Sequence, residues 1–177
     1  MTQDLPEKLN LGCGEDIRPG FHNVDVVDAA RIDETVDLEE MPWPWPDDCF
    51  ETILASHVLE HIEDLEGALR EISRILVSGG TAEIRWPIGL NEVADPDHVH
   101  QWGWRTPEFY CGERHWDVDV GLSVVERDCD LWSLYPAGLL RRWHETWLSI
   151  KLSRYGSGPW CFTEPRASGE FRAVMQA

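Results

Sequence analysis

Short apolar runs alternate with polar or helical stretches between residues 8 and 86. Each run is bounded by turn-forming or charged residues, which is typical of β-strands. Five strands are predicted: Lys8–Leu11, Asn23–Val27, Thr35–Leu38, Phe50–Ala55 and Thr81–Trp86. Strands separated by crossovers indicate an α/β protein with a parallel sheet.

The clearest predicted helix lies between the fourth and fifth of these strands. It begins near Asp64, which is a good N-cap residue, and Gly79-Gly80 is expected to end it. Helical spacing places six apolar side chains on one face: Leu65, Ala68, Leu69, Ile72, Ile75 and Leu76. The charged residues Glu66, Arg70, Glu71 and Arg74 are interpreted as the solvated face.

The pattern is looser after Pro87. A stretch rich in Trp, His and Pro runs to about His115, and apolar alternation follows from Leu122 to Leu131. A helical pattern then places Leu140, Trp143, Trp147 and Ile150 on one stripe, and the tail after Gly156 is predicted to be irregular. The stripe favours a buried helix face over an interface, and the oligomeric state is left open.

Composition describes one strongly acidic globular domain. The 177 residues carry 15 Lys+Arg and 33 Asp+Glu, so the net charge is 15 − 33 = −18, which disfavours nucleic acid as a partner. A hydrophobic fraction of 42% with ten Trp is enough for a real core. Thirteen of the cations are Arg and only Lys8 and Lys151 are lysines, a balance that we interpret as halophilic, from a salt-rich cytoplasm.

The chain shows no targeting or cross-linking pattern. Its start has neither a basic leader nor an apolar segment, and no window approaches about eighteen apolar residues, so a cytoplasmic protein without membrane contact is expected. The five cysteines are scattered and form no Cys-x-x-Cys pair, which indicates free thiols.

The first predicted strand runs directly into Gly12-Cys13-Gly14. Glycines after a strand allow a nucleotide-like ligand to approach the backbone at the sheet edge. Asp25, at the end of the second strand, could accept hydrogen bonds from both ribose hydroxyls. Only residues 15–23 separate Gly14 from that strand, so either the first crossover is reduced to a loop with one turn, or Asp37 is the ribose acid and Asn23–Val27 is not a core strand.

The end of the fourth strand is the second candidate for chemistry. His57 is the best single candidate for a catalytic base, because a near-neutral imidazole could take a proton from an acceptor. The alternative is that His57 only shapes the pocket. Glu60 and His61 are interpreted as capping or packing contacts. Residues of metal-ligand type occur further on, at Asp95, His98, His100, Cys111 and His115. Cys111 and His115 could share a helical face, but without a second well-spaced pair no metal is predicted.

Three segments together resemble the class I S-adenosylmethionine-dependent methyltransferases, in particular the small methyltransferase-11-like group. They are KLNLGCGEDIRPGFHNVDV, VDLEEMPWPWPDDCFETILASHVLEHI and ALREISRILVSGGTAEIRWP, and they span roughly residues 8–87. The resemblance implies a Rossmann-like, doubly wound, mostly parallel sheet with an abbreviated first crossover. It also implies one domain over 1–177, with a cofactor-binding core at 8–87 and a variable acceptor-side, sheet-completing region at 88–177.

The resemblance also implies the site residues. Leu11, Gly12, Cys13 and Gly14 would wrap the methionine end of S-adenosylmethionine, and Asp25 would hold the ribose. Asp37 and Leu38 would lie beside the adenine, with Ser56 and His57 facing the sulfonium. The segment DPDHVHQWGWRTPEFY looks like the acceptor side, so His98, His100 and Trp102 are expected at the mouth of the pocket.

The implied activity is methyl transfer to an oxygen or nitrogen of a small-molecule or glycan-like acceptor. One alternative is a binding module that holds S-adenosylmethionine without catalysis. Another is a different Rossmann nucleotide-binding enzyme, which is disfavoured because Ile17 stands where Gly-x-Gly-x-x-Gly needs its third glycine.

Overall fold

The computed structural model describes residues 6–28, 30–89, 95–112, 117–135, 137–158, 161 and 167–177. Seven strands form one sheet: β1 (Lys8–Leu11), β2 (His22–Asp25), β3 (Glu34–Thr35), β4 (Phe50–Ser56), β5 (Leu76–Gly89), β6 (Ser123–Ser133) and β7 (Ala167–Gln176). The helices in these ranges are α1 (Leu65–Ile75), α2 (Thr106–Phe109) and α3 (Leu139–Tyr155), with a 3-10 turn at Leu59–His61.

The sheet has the strand order β3-β2-β1-β4-β5-β7-β6. Neighbouring strands from β3 to β5 pair in parallel, whereas β7 pairs antiparallel with both β5 and β6. The chain starts in the middle of the sheet and reverses its winding direction after β3. The predicted α/β, Rossmann-like, doubly wound and mostly parallel fold is therefore confirmed.

The first crossover is a loop. Residues 12–21, all of them described, contain turns and no helix, as expected for an abbreviated connection. A buried polar pair replaces the packing that a helix would provide: the Asn10 side-chain amide donates to Asn23 Oδ1 at 3.0 Å, and the Arg18 amide donates to the same oxygen at 2.8 Å. Because β2 carries the fully buried Val24, the interpretation in which this segment is not a core strand is wrong.

Helix α1 ends earlier than predicted. Its N-cap is Asp64, whose carboxylate accepts from the Gly67 amide at 2.9 Å, as expected. It ends at Ile75, however, and Leu76 already belongs to β5. Gly79 and Gly80 lie inside that strand, where they exchange backbone hydrogen bonds with Ala177. Pairing with the C-terminal residues extends the strand through the two glycines.

Strand β7 was missed by the sequence interpretation, which expected an irregular tail. Its first three residues, Ala167, Ser168 and Gly169, are poor strand formers, so local propensity conceals it. Hydrogen bonding to β5 on one side and β6 on the other satisfies its backbone on both edges. Tertiary pairing therefore decides the conformation of this segment.

Helix α3 is present, but the predicted burial of its stripe is wrong. Leu140, Trp143 and Ile150 are 67%, 66% and 58% exposed. The buried positions of α3 are His144 and Leu148, which lie on a different face. The buried face of α1, by contrast, agrees with prediction: Leu65, Ala68, Leu69, Ile72 and Ile75.

Candidate cofactor and acceptor site

A cavity of about 450 Å³ opens at the carboxyl ends of β1, β2 and β4. This is the edge at which open parallel sheets bind ligands, and the volume lies within the range of small-molecule sites. Twelve residues line it: Gly12, Gly14, Asp25, Val26, Val36, Asp37, Leu38, Glu39, His57, Val58, His61 and Ile62. The wall is thus mostly apolar, with three carboxylates on its rim.

The glycine loop that follows β1 forms one side of this cavity. Gly12 and Gly14 have φ of +56° and +50°, a backbone region that favours glycine. A Cβ on Gly12 would overlap a methyl of Val58, whereas one on Gly14 would have nothing within 4 Å. Gly12 therefore allows Val58, in the segment that directly follows β4 (the β4 exit), to pack against the loop. Gly14 leaves open space beside the cavity.

Both candidate ribose acids reach the cavity. Asp25 ends β2 and accepts the Gly14 amide at 2.8 Å and the Val27 amide at 3.0 Å. Asp37 accepts the Glu39 amide at 3.0 Å. Backbone donors fix the orientation of both carboxylates, and each oxygen keeps further acceptor capacity for a ligand hydroxyl. Asp25 alone is tied to the glycine loop.

Three predicted cofactor residues support the cavity from behind. Leu11 is fully buried in the core. Cys13 is buried as well, its amide donates to the Val24 carbonyl at 2.9 Å, and burial followed by the charge of Asp25 raises the pKa of its thiol. Ser56 is the last residue of β4. Their side chains lie outside the lining, so any contact with a ligand in the cavity would come through the backbone.

His57 stands at the cavity edge between two acidic residues. Its φ of +53° is unusual for a residue other than glycine, and its amide donates to the Arg85 carbonyl at 3.1 Å. Its Nε2 lies 2.8 Å from Glu170 Oε2, and its Nδ1 lies 3.5 Å from Glu60 Oε1. The hydrogen bond with Glu170, and then the contact with Glu60, raise the pKa of His57 to about 9.

A raised pKa bears on the two interpretations of His57. An imidazole with a pKa of about 9 is protonated at neutral pH and has no lone pair with which to accept a proton. This geometry favours His57 as a residue that shapes the pocket over His57 as a base. Sequence reasoning missed Glu170 because it lies on the unpredicted strand β7, 113 residues away.

The predicted acceptor residues separate in the structure. His98 packs edge-on against His61, with ring centroids 4.9 Å apart, and so lies next to the cavity lining. His100 Nε2 lies 3.0 Å from the Glu63 carbonyl, further along the same segment. Trp102 is only 3% exposed and stacks on Trp86 at 4.3 Å, so it is a core residue and does not wall the mouth as expected.

Several lining residues escaped the sequence interpretation: Val26, Val36, Glu39, Val58, His61 and Ile62. The feature that could have identified them is their position in the chain, because each lies within a few residues of a strand end or of the β4 exit. Among the remaining metal-type residues, Cys111 donates its thiol to the Pro107 carbonyl at 3.2 Å. His115 lies outside the described residues.

Comparison with known proteins agrees with this geometry. Residues 16–84 match the family model described as a methyltransferase domain. Over these residues the chain is therefore similar to the methyltransferase domain family. The mostly apolar cavity with carboxylates at its rim fits the uncharged adenine and the positively charged methionine end of S-adenosylmethionine. The sequence has no match among curated proteins.

Solved structures share the fold at low identity. An S-adenosylmethionine-dependent methyltransferase from Archaeoglobus fulgidus is 16% identical, with a TM-score of 0.60 over 96% of this chain and 85% of that one. A chain in the complex between the Haloferax volcanii Trm112 methyltransferase activator and a methyltransferase is 18% identical, with a TM-score of 0.55 over 100% and 85%. Haemonchus contortus phosphoethanolamine N-methyltransferase 2, solved with S-adenosyl-L-methionine, is 14% identical, with a TM-score of 0.56 over 96% and 48%.

None of the helices in the described ranges has the length and hydropathy to span a membrane.

Proposed function

We propose that this methyltransferase transfers the methyl group of S-adenosylmethionine to an oxygen or nitrogen of a small-molecule or glycan-like acceptor. The observation that carries the proposal is the cavity in which the glycine loop, the β2 acid Asp25 and the β4-exit residue His57 meet. The cofactor supplies an electrophilic methyl group on a sulfonium. The protein then has to hold the donor, align the acceptor and exclude water.

The cofactor roles follow the order of the residues around the cavity. Backbone from Leu11 through Gly14 would hold the methionine end, where Gly14 leaves open space. Asp25 would bind both ribose hydroxyls with a carboxylate already oriented by two backbone amides. Asp37 and Leu38 would lie beside the adenine, and Val26 and Ile62 add apolar surface.

Ser56 and His57 would face the reacting end of the cofactor. The contacts of His57 with Glu170 and Glu60 support a role in fixing the cavity edge. Methyl transfer to a good nucleophile depends on alignment more than on proton removal, which is consistent with that role. A base at His57 remains the alternative.

The acceptor would enter past His98 and His100. His98 contacts His61, which lines the cavity, so an acceptor held there would lie next to the donor. The buried position of Trp102 supports a role in holding this segment on the sheet. The net charge of −18 supports a small or uncharged acceptor over nucleic acid.

The central test is calorimetric binding of S-adenosylhomocysteine in molar KCl. Asp25→Ala is expected to weaken binding by about 1–3 kcal/mol, because a charge-assisted pair of hydrogen bonds is lost. Asp28→Ala, which removes an exposed carboxylate outside the cavity lining, is the matched control. Unchanged affinity in Asp25→Ala together with a large loss in Asp37→Ala would transfer the ribose role to Asp37.

The second candidate is a binding module without turnover, because a fold alone does not establish catalysis. It predicts normal S-adenosylhomocysteine affinity but no transfer of labelled methyl to any member of an acceptor panel of alcohols, amines and sugars. Transfer to one acceptor class, lost when the donor site is disrupted, would exclude it. Absence of binding in the wild-type chain would overturn both candidates.

We also propose a salt-rich cytoplasm as the working environment. The support is the excess of 33 acidic over 15 basic residues and the near absence of lysine. Carboxylates keep a surface hydrated in concentrated salt, where their mutual repulsion is screened.

A further inference from the structure

A second group of side chains lies where the β4 exit meets the segment 95–100. Glu60, His61 and His98 place one potential ligand atom each within 4.8 Å of one another. Glu60 is completely buried, and neither of its carboxylate oxygens has a hydrogen-bond partner among the described residues. His57 Nδ1 lies 3.5 Å from Glu60 Oε1. The contact with His57 offsets part of the cost of burying this carboxylate, and a bound metal cation would offset more of it.

The second ligand candidate, His61, is held in one tautomer. Its Nδ1 lies 3.1 Å from the backbone carbonyl of Asp97. A carbonyl can only accept, so Nδ1 carries the proton and Nε2 keeps its lone pair. Metal-binding histidines typically donate their second ring N–H to such an acceptor, which fixes both the orientation and the tautomer of the ring.

The segment 95–100 is anchored above Glu60 by its backbone. The amides of Val99 and His100 lie 2.9 and 3.4 Å from the carbonyl oxygen of Glu60, and both donate to it. These bonds bring His98 to the β4 exit, where its ring contacts that of His61. At the rim, Asp95 Oδ2 lies 3.8 Å from His98 Nε2. The candidate ligands therefore come from two segments that the fold already holds together.

We propose that Glu60, His61 and His98 bind one first-row divalent cation, with Zn²⁺ as the reference ion. Two imidazoles and one carboxylate are a ligand set found in catalytic zinc sites, which keep a further position open. Ligand atoms about 2.1 Å from one tetrahedral ion lie about 3.4 Å apart, so the group, whose atoms lie within 4.8 Å of one another, has to contract by up to about 1.4 Å. Small movements shared among the three side chains would supply this contraction.

A cation bound by these three residues would lie next to the methyl-transfer cavity. His61 lines that cavity while Glu60 lies behind it. An open coordination position would face the region where we propose that the acceptor enters, and a cation there can polarise an acceptor oxygen. Metal binding itself does not depend on the proposed methyl transfer and can be measured without cofactor or acceptor.

The test is titration of the full chain, stripped of metal with a chelator, with Zn²⁺ by calorimetry and with Co²⁺ by visible absorption. We expect one equivalent to bind. Glu60→Gln and His61→Gln should each weaken binding by at least about tenfold, because each removes one ligand. Asp97→Asn is the matched control: it makes the same carboxylate-to-amide change on an exposed residue of the same segment, and its affinity should equal that of the wild type.

The design separates this site from other causes of metal uptake. Binding to cysteine thiolates would give an intense thiolate-to-cobalt band, whereas a nitrogen and oxygen site gives only weak bands. If Glu60→Gln fails to fold, the exposed His61→Gln decides. No saturable uptake by the wild-type chain, a thiolate spectrum, or equal affinity in His61→Gln and Asp97→Asn would each overturn the proposal.

Discussion

Helices α1 and α3 have similar spacing of apolar residues, but these residues are buried on α1 and exposed on α3. The apolar face of α1 is buried against the sheet, where Leu69 and Ile72 have no exposed surface. On α3, Leu140 and Trp143 are 67% and 66% exposed. Apolar residues at helical spacing therefore indicate a helix in both regions, but they do not indicate what covers it.

The difference arises from the connections of the two helices. Helix α1 joins the parallel strands β4 and β5, and such a crossover has to lie on the face of the sheet. Helix α3 connects β6 to the antiparallel strand β7 and carries no such constraint. It is held through His144, whose Nδ1 lies 2.8 Å from the Ser133 hydroxyl, and through Leu148.

The largest expected effect is on stability. Leu69→Ala should lower the free energy of unfolding by about 2–5 kcal/mol, because it leaves a cavity in the core. Leu140→Ala, the same change on α3, should stay within about 0.5 kcal/mol of the wild type. Urea unfolding followed by circular dichroism in molar KCl measures both. Equal losses that depend on protein concentration would show that the α3 face is covered by a second copy in solution.

A smaller effect is expected from one arginine on each helix, Arg74 in the last turn of α1 and Arg141 in the first turn of α3. Arg74 of α1 donates to the carbonyls of Trp43 and Trp45, at 3.2 and 2.9 Å, so it is a structural anchor and not part of a solvated face. Arg74→Ala should cost about 1–3 kcal/mol of unfolding free energy. Arg141→Ala, which removes only a surface pair with Glu145, should cost about 0.3–0.5 kcal/mol.

The variant Arg74→Lys tests whether the shape of the guanidinium group matters for the stabilising role of Arg74. Arg74→Lys keeps the charge but loses the planar fork that reaches two carbonyls at once, so it should recover only part of the stability lost in Arg74→Ala. Full recovery would show that charge, and not the hydrogen bonds to the tryptophan segment, is what Arg74 supplies.

Salt is expected to change the stability of any single region least, because its screening effect is spread over the whole charged surface. The melting temperature should rise between low and molar KCl as the repulsion among 33 carboxylates is screened. The stability lost in Leu69→Ala should be the same at both salt concentrations, since a buried leucine carries no charge. A flat melting temperature in the wild type would count against salt adaptation.

Sequence reasoning succeeded best where neighbours in the chain are neighbours in space. Strand β1, the N-cap Asp64 and the buried face of α1 follow from local periodicity and capping chemistry. Asp25 and His57 were predicted from their positions after strands, and both line the cavity. The short crossover between β1 and β2 also agrees with the small number of residues available.

Prediction from the sequence failed where contacts between distant segments determine the structure. Trp102 was expected at the pocket mouth because its segment resembles the acceptor side of class I methyltransferases, but stacking on Trp86 places it in the core. Strand β7 has weak local propensity and forms because two partners bond to it. Which face of α3 is buried could not be deduced from the sequence, because helical spacing does not indicate the surface on which a helix packs.

The sequence by itself determined the parallel half of the sheet, helix α1 and the residue types at the cavity edge, because these depend on spacings of a few residues. Tertiary structure alone decided that Glu170 reaches His57, and that His98 meets Glu60 and His61. Both arrangements need the order of strands across the sheet and the path of the segment 95–100. Contacts between residues far apart in the chain are set by the packing of the whole domain, and no local pattern encodes them.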